Sequence, residues 1–205
     1  MTVLGMARRS FDVSSLTSST DMQRLPTRLD GIVLLAPAVH GDERGFFMET
    51  WREDTWRSHG VPSDFVQDNH SRSRRGTVRG IHFQTHPGQG KLVRCARGAV
   101  LDVVVDLRRG SETFGEWESV VLDDVHGGQL WIPVGFGHGF CVLSETADFV
   151  YKCTNYYDAA TEAGIRFDDP DVGIEWPGDV ELLYSERDAT APRLAEVADS
   201  LPFRV

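Results

Sequence analysis

The feature that most constrains the fold is a succession of short runs rich in β-branched and aromatic residues, starting near residue 30. Each run is bounded by Gly, Asp, Ser or Pro, which is the pattern of short strands joined by turns. The candidate strands are Ile32–Ala36, Phe46–Trp51, Phe65–Asn69, Val78–Gln84, Lys91–Ala96, Val100–Leu107, Trp117–Leu122, Gln129–Pro133, Phe140–Leu143 and Asp148–Tyr156. Arg97 and Gly98 predict a tight hairpin between two of them. Many short antiparallel strands predict an all-β sandwich or barrel, and we expect a jelly-roll β-barrel.

Helical patterns are few and short. Glu53–His59, ended by Gly60, and a stretch near Pro192–Ala198 are the candidates, so we expect only a few short peripheral helices. Residues 1–23 are rich in Ser and Thr and weakly patterned, which predicts a flexible N-terminal extension. With no internal repeat or linker after it, residues 24–205 are predicted to form a single domain.

Composition and charge exclude several classes of protein. No apolar run approaches the length of a membrane span, and the N-terminus lacks the apolar region of a secretory signal. Cys95, Cys141 and Cys153 form an odd set without a CxxC motif, which predicts reduced core residues in a cytoplasmic protein. The net charge of -10 argues against binding to nucleic acid or an anionic membrane. A local arginine cluster can still bind a diphosphate, because distant charges are screened over about 8 Å.

The segment RGIHFQ places a histidine inside a predicted strand. His82 could be a core histidine bonded to a backbone carbonyl, or a functional imidazole that faces a pocket. Strict alternation would put Arg79 and His82 on opposite faces of the strand. A β-bulge at Gly80 would re-aim one of the two side chains.

The segment PVGFGHGF contains P-x-G-x-x-H, which is half of a cupin signature. Gly76 and His82 have the G-x5-H spacing that begins the other half in metal-binding cupins. Gln84 stands where the second histidine is expected, and Gly88 or Gln89 where the carboxylate is expected. Because metal sites of this kind usually have three or more protein ligands, we predict a cupin-like barrel without a bound metal.

Three further segments carry candidate polar groups. Tyr151, in DFVYKCTNYY, is either a packing residue or a proton donor that faces a pocket. In HSRSRRGTVRG the arginines Arg72, Arg74 and Arg75 predict a solvated loop. Asp188, in SERDATAP, is either a surface aspartate or a carboxylate that orients a histidine.

Taken in order, the segments between residues 30 and 192 resemble the dTDP-4-dehydrorhamnose 3,5-epimerase family, whose members are cupins. The matching segments are GDERGFFMETW, FVQDNHS, VRGIHFQ, GKLVRC, DVVVDLR, TFGEWESV, LWIPVGFGHGF, DFVYKCTNYYDAATEAGIRFDDPDVGIEWP and SERDATAP. The N-terminal extension is not part of the resemblance. The resemblance implies a homodimer with strands exchanged between subunits, and a dTDP-linked 4-keto-6-deoxyhexose as the substrate.

The resemblance also implies residue roles. His82 would be the general base, Tyr151 the general acid, and Asp188 the partner of His82. The implied substrate-site residues are Arg44, Glu49, Gln67, Asn69, Arg79, Lys91, His138, Glu162 and Arg187. Arg187 stands where the family often has lysine, and the two side chains are not interchangeable at a tight contact.

These residue types suit inversion of carbons beside a ketone. A histidine can remove the acidic proton near neutral pH, a cation can stabilise the enolate oxygen, and a phenol can return a proton on the other face. Lys91 and Arg79 are both candidates for the enolate oxygen. No redox cofactor is needed, which agrees with the absence of a Gly-rich dinucleotide loop. The alternatives are an epimerase that inverts C3 alone, a metal-dependent cupin oxygenase, and a sugar-binding cupin without catalysis.

Overall fold

The computed structural model of the chain describes residues 11–12 and 21–205. These residues form two six-stranded sheets and a separate two-stranded hairpin. The strands are β1 (Phe11–Asp12), β2 (Gln23–Leu25), β3 (Val33–Ala36), β4 (Val39–Asp42), β5 (Gly45–Met48), β6 (Gln67–Arg74), β7 (Val78–Gln84), β8 (Lys91–Arg97), β9 (Ala99–Asp106), β10 (Trp117–Asp123), β11 (Gln129–Ile132), β12 (Phe136–Val142), β13 (Thr146–Cys153) and β14 (Glu162–Gly164). The helices are α1 (Glu53–Ser58), α2 (Glu186–Ala189), α3 (Leu194–Val197) and a 3-10 turn at Ala198–Ser200.

The order of strands in the sheets is that of a jelly roll. The first sheet runs β1-β10-β9-β12-β7-β14, and the second runs β2-β3-β11-β8-β13-β6. Except for the parallel pairing of β1 with β10, neighbouring strands are antiparallel. The expected all-β, cupin-type jelly-roll barrel with a few short helices is therefore confirmed.

The main core lies between the two sheets. Val104 and Phe140 of the first sheet pack with Val93, Leu130 and Phe149 of the second. A second cluster covers the outer face of the first sheet, where Val103 and Val105 of β9 meet the C-terminal segment at Leu201 and Phe203. Because both faces of β9 are buried, its sequence is an almost continuous apolar run and does not alternate between apolar and polar residues.

α1 closes the outer face of the second sheet. Its Trp56 is fully buried among residues such as Leu35, Leu92 and Trp131. The helix ends before Gly60, whose φ of +91° lies in the left-handed region that favours glycine. The other predicted helix is shorter than expected, since α3 begins two residues after Pro192. α2 was not predicted from the sequence, and it carries Asp188.

The predicted strands lie close to the observed ones. A tight turn at Gly98 joins β8 to β9, but the hairpin predicted there was wrong, because β8 belongs to the second sheet and β9 to the first, and the turn crosses between them. The prediction of a solvated loop at Arg72, Arg74 and Arg75 was wrong for the first two, which belong to β6, while Arg75 lies in the turn that follows. β6 alternates between half-buried and exposed positions at the edge of the second sheet, so its exposed positions can carry charge. Arg72 is held by Asp148 of the neighbouring β13.

Other expectations concern the cysteines and the N-terminus. Cys95, Cys141 and Cys153 are free and buried, as predicted. Most of the predicted extension, residues 1–10 and 13–20, lies outside the described residues, so its flexibility stays a prediction. Among the residues that the structure covers, no helix is long and apolar enough to cross a membrane.

Candidate active site

A cavity of about 600 Å³ opens between β7 of the first sheet and β13 of the second. It brings together residues that are far apart in the sequence. The predicted site residues that line it are Arg79, His82, Lys91, His138, Tyr151, Glu162, Arg187 and Asp188.

An irregularity in β7 turns both Arg79 and His82 towards this cavity. The pairing with β12 shifts so that His138 faces His82 while Phe140 faces Arg79, which gives β7 one extra residue. Gly80 has a φ of +139°, and a Cβ there would lie 2.5 Å from the Cα of Gly139. Only glycine fits this close approach of two strands. The bulge expected at Gly80 is therefore present.

His82 and Asp188 form a hydrogen-bonded pair, with 2.6 Å between Nε2 and Oδ1. α2 positions the carboxylate, because the Ser185 hydroxyl caps this helix by accepting a bond from the Asp188 amide. Burial opposes ionisation of Asp188, but the bond to His82 and its charge outweigh burial and hold the carboxyl pKa below its usual value. An ionised Asp188 accepts the Nε2 proton, which leaves Nδ1 of His82 free to take another.

Tyr151 and Lys91 come from the second sheet, on the wall opposite His82. Burial raises the pKa of the Tyr151 phenol, so this hydroxyl keeps its proton at neutral pH. Burial lowers the pKa of Lys91, although neighbouring acidic groups, including Glu162, act in the opposite direction. The site therefore holds a phenolic proton donor and a partly desolvated ammonium group.

Two residues that were not singled out from the sequence join this site. Tyr157 donates its hydroxyl proton to Glu162 over 2.8 Å, and Arg187 donates to the same carboxylate oxygen over 2.6 Å. Asp102, fully buried in β9, bonds to His138 over 2.9 Å. The signal for Asp102 in the sequence was a charged residue inside the apolar run of a strand buried on both faces.

A smaller depression of about 270 Å³ continues from the cavity and shares His82, Lys91 and Tyr151 with it. It contains Gln67 and Asn69, whose side chains are bonded to each other over 3.0 Å. These amides have free hydrogen-bonding capacity to read a polar ligand.

Arg44 and Glu49 are the predicted site residues that the fold brings neither to this cavity nor to the adjoining depression. Arg44 lies at the turn of the β4–β5 hairpin, where it is exposed and paired with Asp42. Glu49 follows the hairpin and is also exposed. The hairpin pairs with neither six-stranded sheet in the described part of the chain.

The donors at the cavity do not form a metal-binding set. No cluster of three His, Cys, Asp or Glu side chains that could hold a metal occurs within the described residues. The buried Gln84 side chain bonds to the backbone of Tyr156 and Asp158. That no metal is bound stays a prediction.

Comparisons with known proteins agree with this geometry. The sequence profile described as dTDP-4-dehydrorhamnose 3,5-epimerase matches residues 26–196. The chain is 49% identical over 172 residues to a curated protein of that description from Salmonella typhimurium, covering 83% of this chain and 94% of that protein. It is 44% identical over 181 residues to a dTDP-4-dehydrorhamnose 3-epimerase from Streptomyces niveus, with 87% of each chain covered.

A solved structure is similar over nearly its whole length. The dTDP-6-deoxy-D-glucose-3,5-epimerase from Legionella pneumophila, in complex with dTDP-4-keto-L-rhamnose, has a TM-score of 0.86 and 44% identity. The match covers 90% of this chain and 98% of that one.

Proposed function

Because the chain belongs to the dTDP-4-dehydrorhamnose 3,5-epimerase family, we propose that it inverts C3 and C5 of dTDP-4-keto-6-deoxy-D-glucose. The reaction removes a proton beside the ketone and returns one on the opposite face. The observation that carries this proposal is the His82–Asp188 pair on one wall of a cavity, with the protonated Tyr151 phenol on the other.

In this mechanism Nδ1 of His82 takes the proton from the carbon beside the ketone. Asp188 stabilises the imidazolium that forms, since it already accepts the Nε2 proton. The electrons of the broken C–H bond delocalise onto the ketone oxygen, and the charge of Lys91 or Arg79 stabilises the enolate. Tyr151, which lies on the second sheet, then gives its proton to the same carbon from the opposite face, and the ketone forms again. Since no electrons are transferred, no redox cofactor is required.

The nucleotide would be held where cations and amides converge. Arg79 and Arg187 line the cavity mouth and suit the diphosphate, which guanidinium groups bind with two hydrogen bonds. Gln67 and Asn69 in the adjoining depression have the donors and acceptors to read a thymine. The aromatic ring of Tyr157 lies beside them, half exposed, with its backbone N–H bonded to Gln67.

The protein is proposed to work as a homodimer in which the β4–β5 hairpin reaches the partner subunit. Phe46 and Phe47 on its second strand are 60% and 71% exposed, which is unusual for two adjacent aromatic residues. β6 is a long edge strand at the mouth of the cavity and can accept further pairing. A partner hairpin in this place would supply Arg44 and Glu49 to a site that lacks them within one subunit.

The cysteines bear on where the enzyme acts. Free buried cysteines suit the cytoplasm, where we propose that the enzyme acts.

The experiment that tests the function is incubation with dTDP-4-keto-6-deoxyglucose in heavy water, followed by NMR at C3 and C5. Deuterium and inversion at both carbons are expected. Inversion at C3 alone would replace the proposal with the activity for which the Streptomyces niveus relative is named. No exchange at either carbon, with a folded protein that binds dTDP, would favour a sugar-binding role instead.

A further inference from the structure

The cavity contains two histidine–carboxylate pairs side by side. His82 and His138 are direct cross-strand partners on β7 and β12, and both side chains line the cavity. Residues opposed in this way have Cβ atoms about 4.5–5.5 Å apart. Each imidazole uses Nε2 to bond a buried aspartate, Asp188 in the first pair and Asp102 in the second. The mechanism above uses only the first pair.

Burial of the Asp102 side chain is unfavourable for the stability of the folded protein. It is fully buried in the middle of β9, and only its Oδ2 is bonded, to His138 over 2.9 Å. Its Oδ1 has no hydrogen-bond partner among the described residues. Burial raises the pKa of Asp102, while the charges of His138 and Lys91 favour its ionised form. A buried carboxylate that is only half satisfied costs stability, so packing does not explain its presence.

His138 is held in one orientation by two contacts. Its ring stacks on Phe149 with 5.9 Å between centroids and 21° between planes. The bond to Asp102 fixes the rotation of the ring within that stack, because Nε2 must face β9. With Nε2–H donated to the carboxylate, Nδ1 is left as the nitrogen available to a ligand in the cavity.

We propose that Asp102 is a positioning residue for the epimerase reaction, which acts by holding Nδ1 of His138 towards the bound sugar beside the base His82. The inference rests on the proposed function. Nδ1 would accept a hydrogen bond from a sugar hydroxyl next to the carbon that His82 deprotonates. A sugar held in this way keeps its reacting C–H bond aligned with the base.

The direct test is the protonation state of His138 in the ligand-free wild-type protein. Long-range ¹H–¹⁵N NMR, assigned with the His138→Asn variant, is expected to show a protonated Nε2 and an unprotonated Nδ1. A proton on Nδ1 and none on Nε2 would overturn the inference, and this readout depends on neither a substitution at Asp102 nor the assumed substrate.

Kinetics of three variants provide the second test. Asp102→Leu has a similar shape but cannot accept the bond, and kcat/KM is expected to fall about 10–100-fold, the usual cost of removing a partner that orients a functional histidine. Its melting temperature should change little, because the costly carboxylate is removed along with the bond. Asp102→Asn, whose amide oxygen can still accept, should recover part of kcat/KM.

The matched control on the same strand is Asp106→Asn, since Asp106 is equally buried but is bonded by Arg108, Ser111 and Thr113. It should lower the melting temperature and leave kcat per folded molecule unchanged.

A double variant shows whether Asp102 acts through His138. In a His138→Asn background, Asp102→Leu should cause little further loss, because the two residues act as a unit. A further loss as large as that of the single variant would overturn the inference, as would wild-type kcat/KM in Asp102→Leu. An inactive wild-type protein would instead overturn the proposed function, and this inference with it.

Discussion

The Nε2 atom of His82 and the Oδ1 atom of Asp188 are 2.6 Å apart, although the two residues lie 106 positions apart in the chain. One lies on a strand of the first sheet and the other on a four-residue helix near the C-terminus. In the proposed mechanism this pair removes the proton from the substrate carbon.

Replacement of His82 tests the assignment of the base. His82→Asn should lower the rate of deuterium exchange at C3 and C5 about 10²–10⁴-fold, the usual contribution of a general base. NMR in heavy water measures the exchange. His126→Asn is the control, since His126 bonds Asp123 at a turn that does not line the cavity, and it should keep wild-type exchange. A His82→Asn protein with a lower melting temperature but normal turnover per folded molecule would mean that His82 is structural.

Replacement of Tyr151 separates proton removal from proton return. Tyr151→Phe keeps the ring and its packing against Phe149, so the fold should survive. Because His82 still forms the enolate, deuterium should enter with retention of configuration while net inversion falls much further than exchange. NMR of the recovered sugar measures both quantities. Equal loss of exchange and inversion would remove Tyr151 from the role of proton donor.

Binding of dTDP alone tests the nucleotide site. Calorimetry should detect heat, and a nucleotide concentration of about 100 times the dissociation constant should stabilise the protein by roughly 2.7 kcal/mol. Arg79→Ala should weaken this binding, because it removes a guanidinium from the cavity mouth. Arg57→Ala on α1, where Arg57 pairs with Glu53, is the control and should bind normally. Neither heat nor a melting shift at millimolar dTDP would contradict the assignment.

Mixing of two impaired variants tests whether the hairpin completes the partner's site. Light scattering should first show a dimer. Arg44→Ala and His82→Asn are each expected to be impaired, but subunits exchanged between them should recover about a quarter of wild-type activity, since half of the dimers then carry one intact site. Recovery requires that Arg44 of one subunit completes the site that contains His82 of the other subunit. A monomeric mass, or no recovery in a mixture shown to contain heterodimers, would contradict the shared site.

The ion pair of Asp148 with Arg72 predicts acid sensitivity. Two bonds of 2.6 and 2.7 Å from Arg72 lower the pKa of Asp148 from 3.8 to about 2 in the folded protein. Between these values the unfolded chain binds more protons than the folded one, so stability is present above about pH 4 and is lost as the pH falls towards 2. Urea unfolding midpoints measured between about pH 4 and pH 2 give the slope of the free energy of unfolding against pH. Asp148→Asn should reduce it, whereas Asp179→Asn, at an exposed pair with Arg75, should not. An unchanged slope in Asp148→Asn would contradict the prediction.

Much of the fold was predictable from local patterns. Runs of β-branched and aromatic residues bounded by turn residues indicated most of the strands, because such side chains favour the extended, half-buried backbone of a sheet. β6 was missed in part, since an edge strand such as HSRSR carries exposed charges that look like a loop. α2 was missed because four residues are too few to show a helical period.

The sequence by itself determined the class of fold and the family, because these depend on residue types in an ordered set of segments. From the same resemblance it predicted His82 as the base, Asp188 as its partner and Tyr151 as the acid. Only the tertiary structure decided which of them meet. The bulge at Gly80 brings Arg79 and His82 to one face, and the packing of α2 against β7 buries Asp188 beside His82. It also placed Arg44 and Glu49 away from the cavity and joined Asp102 to His138. Such contacts depend on how two sheets are stacked and registered, and distances between residues remote in sequence are set by that packing rather than by any local pattern.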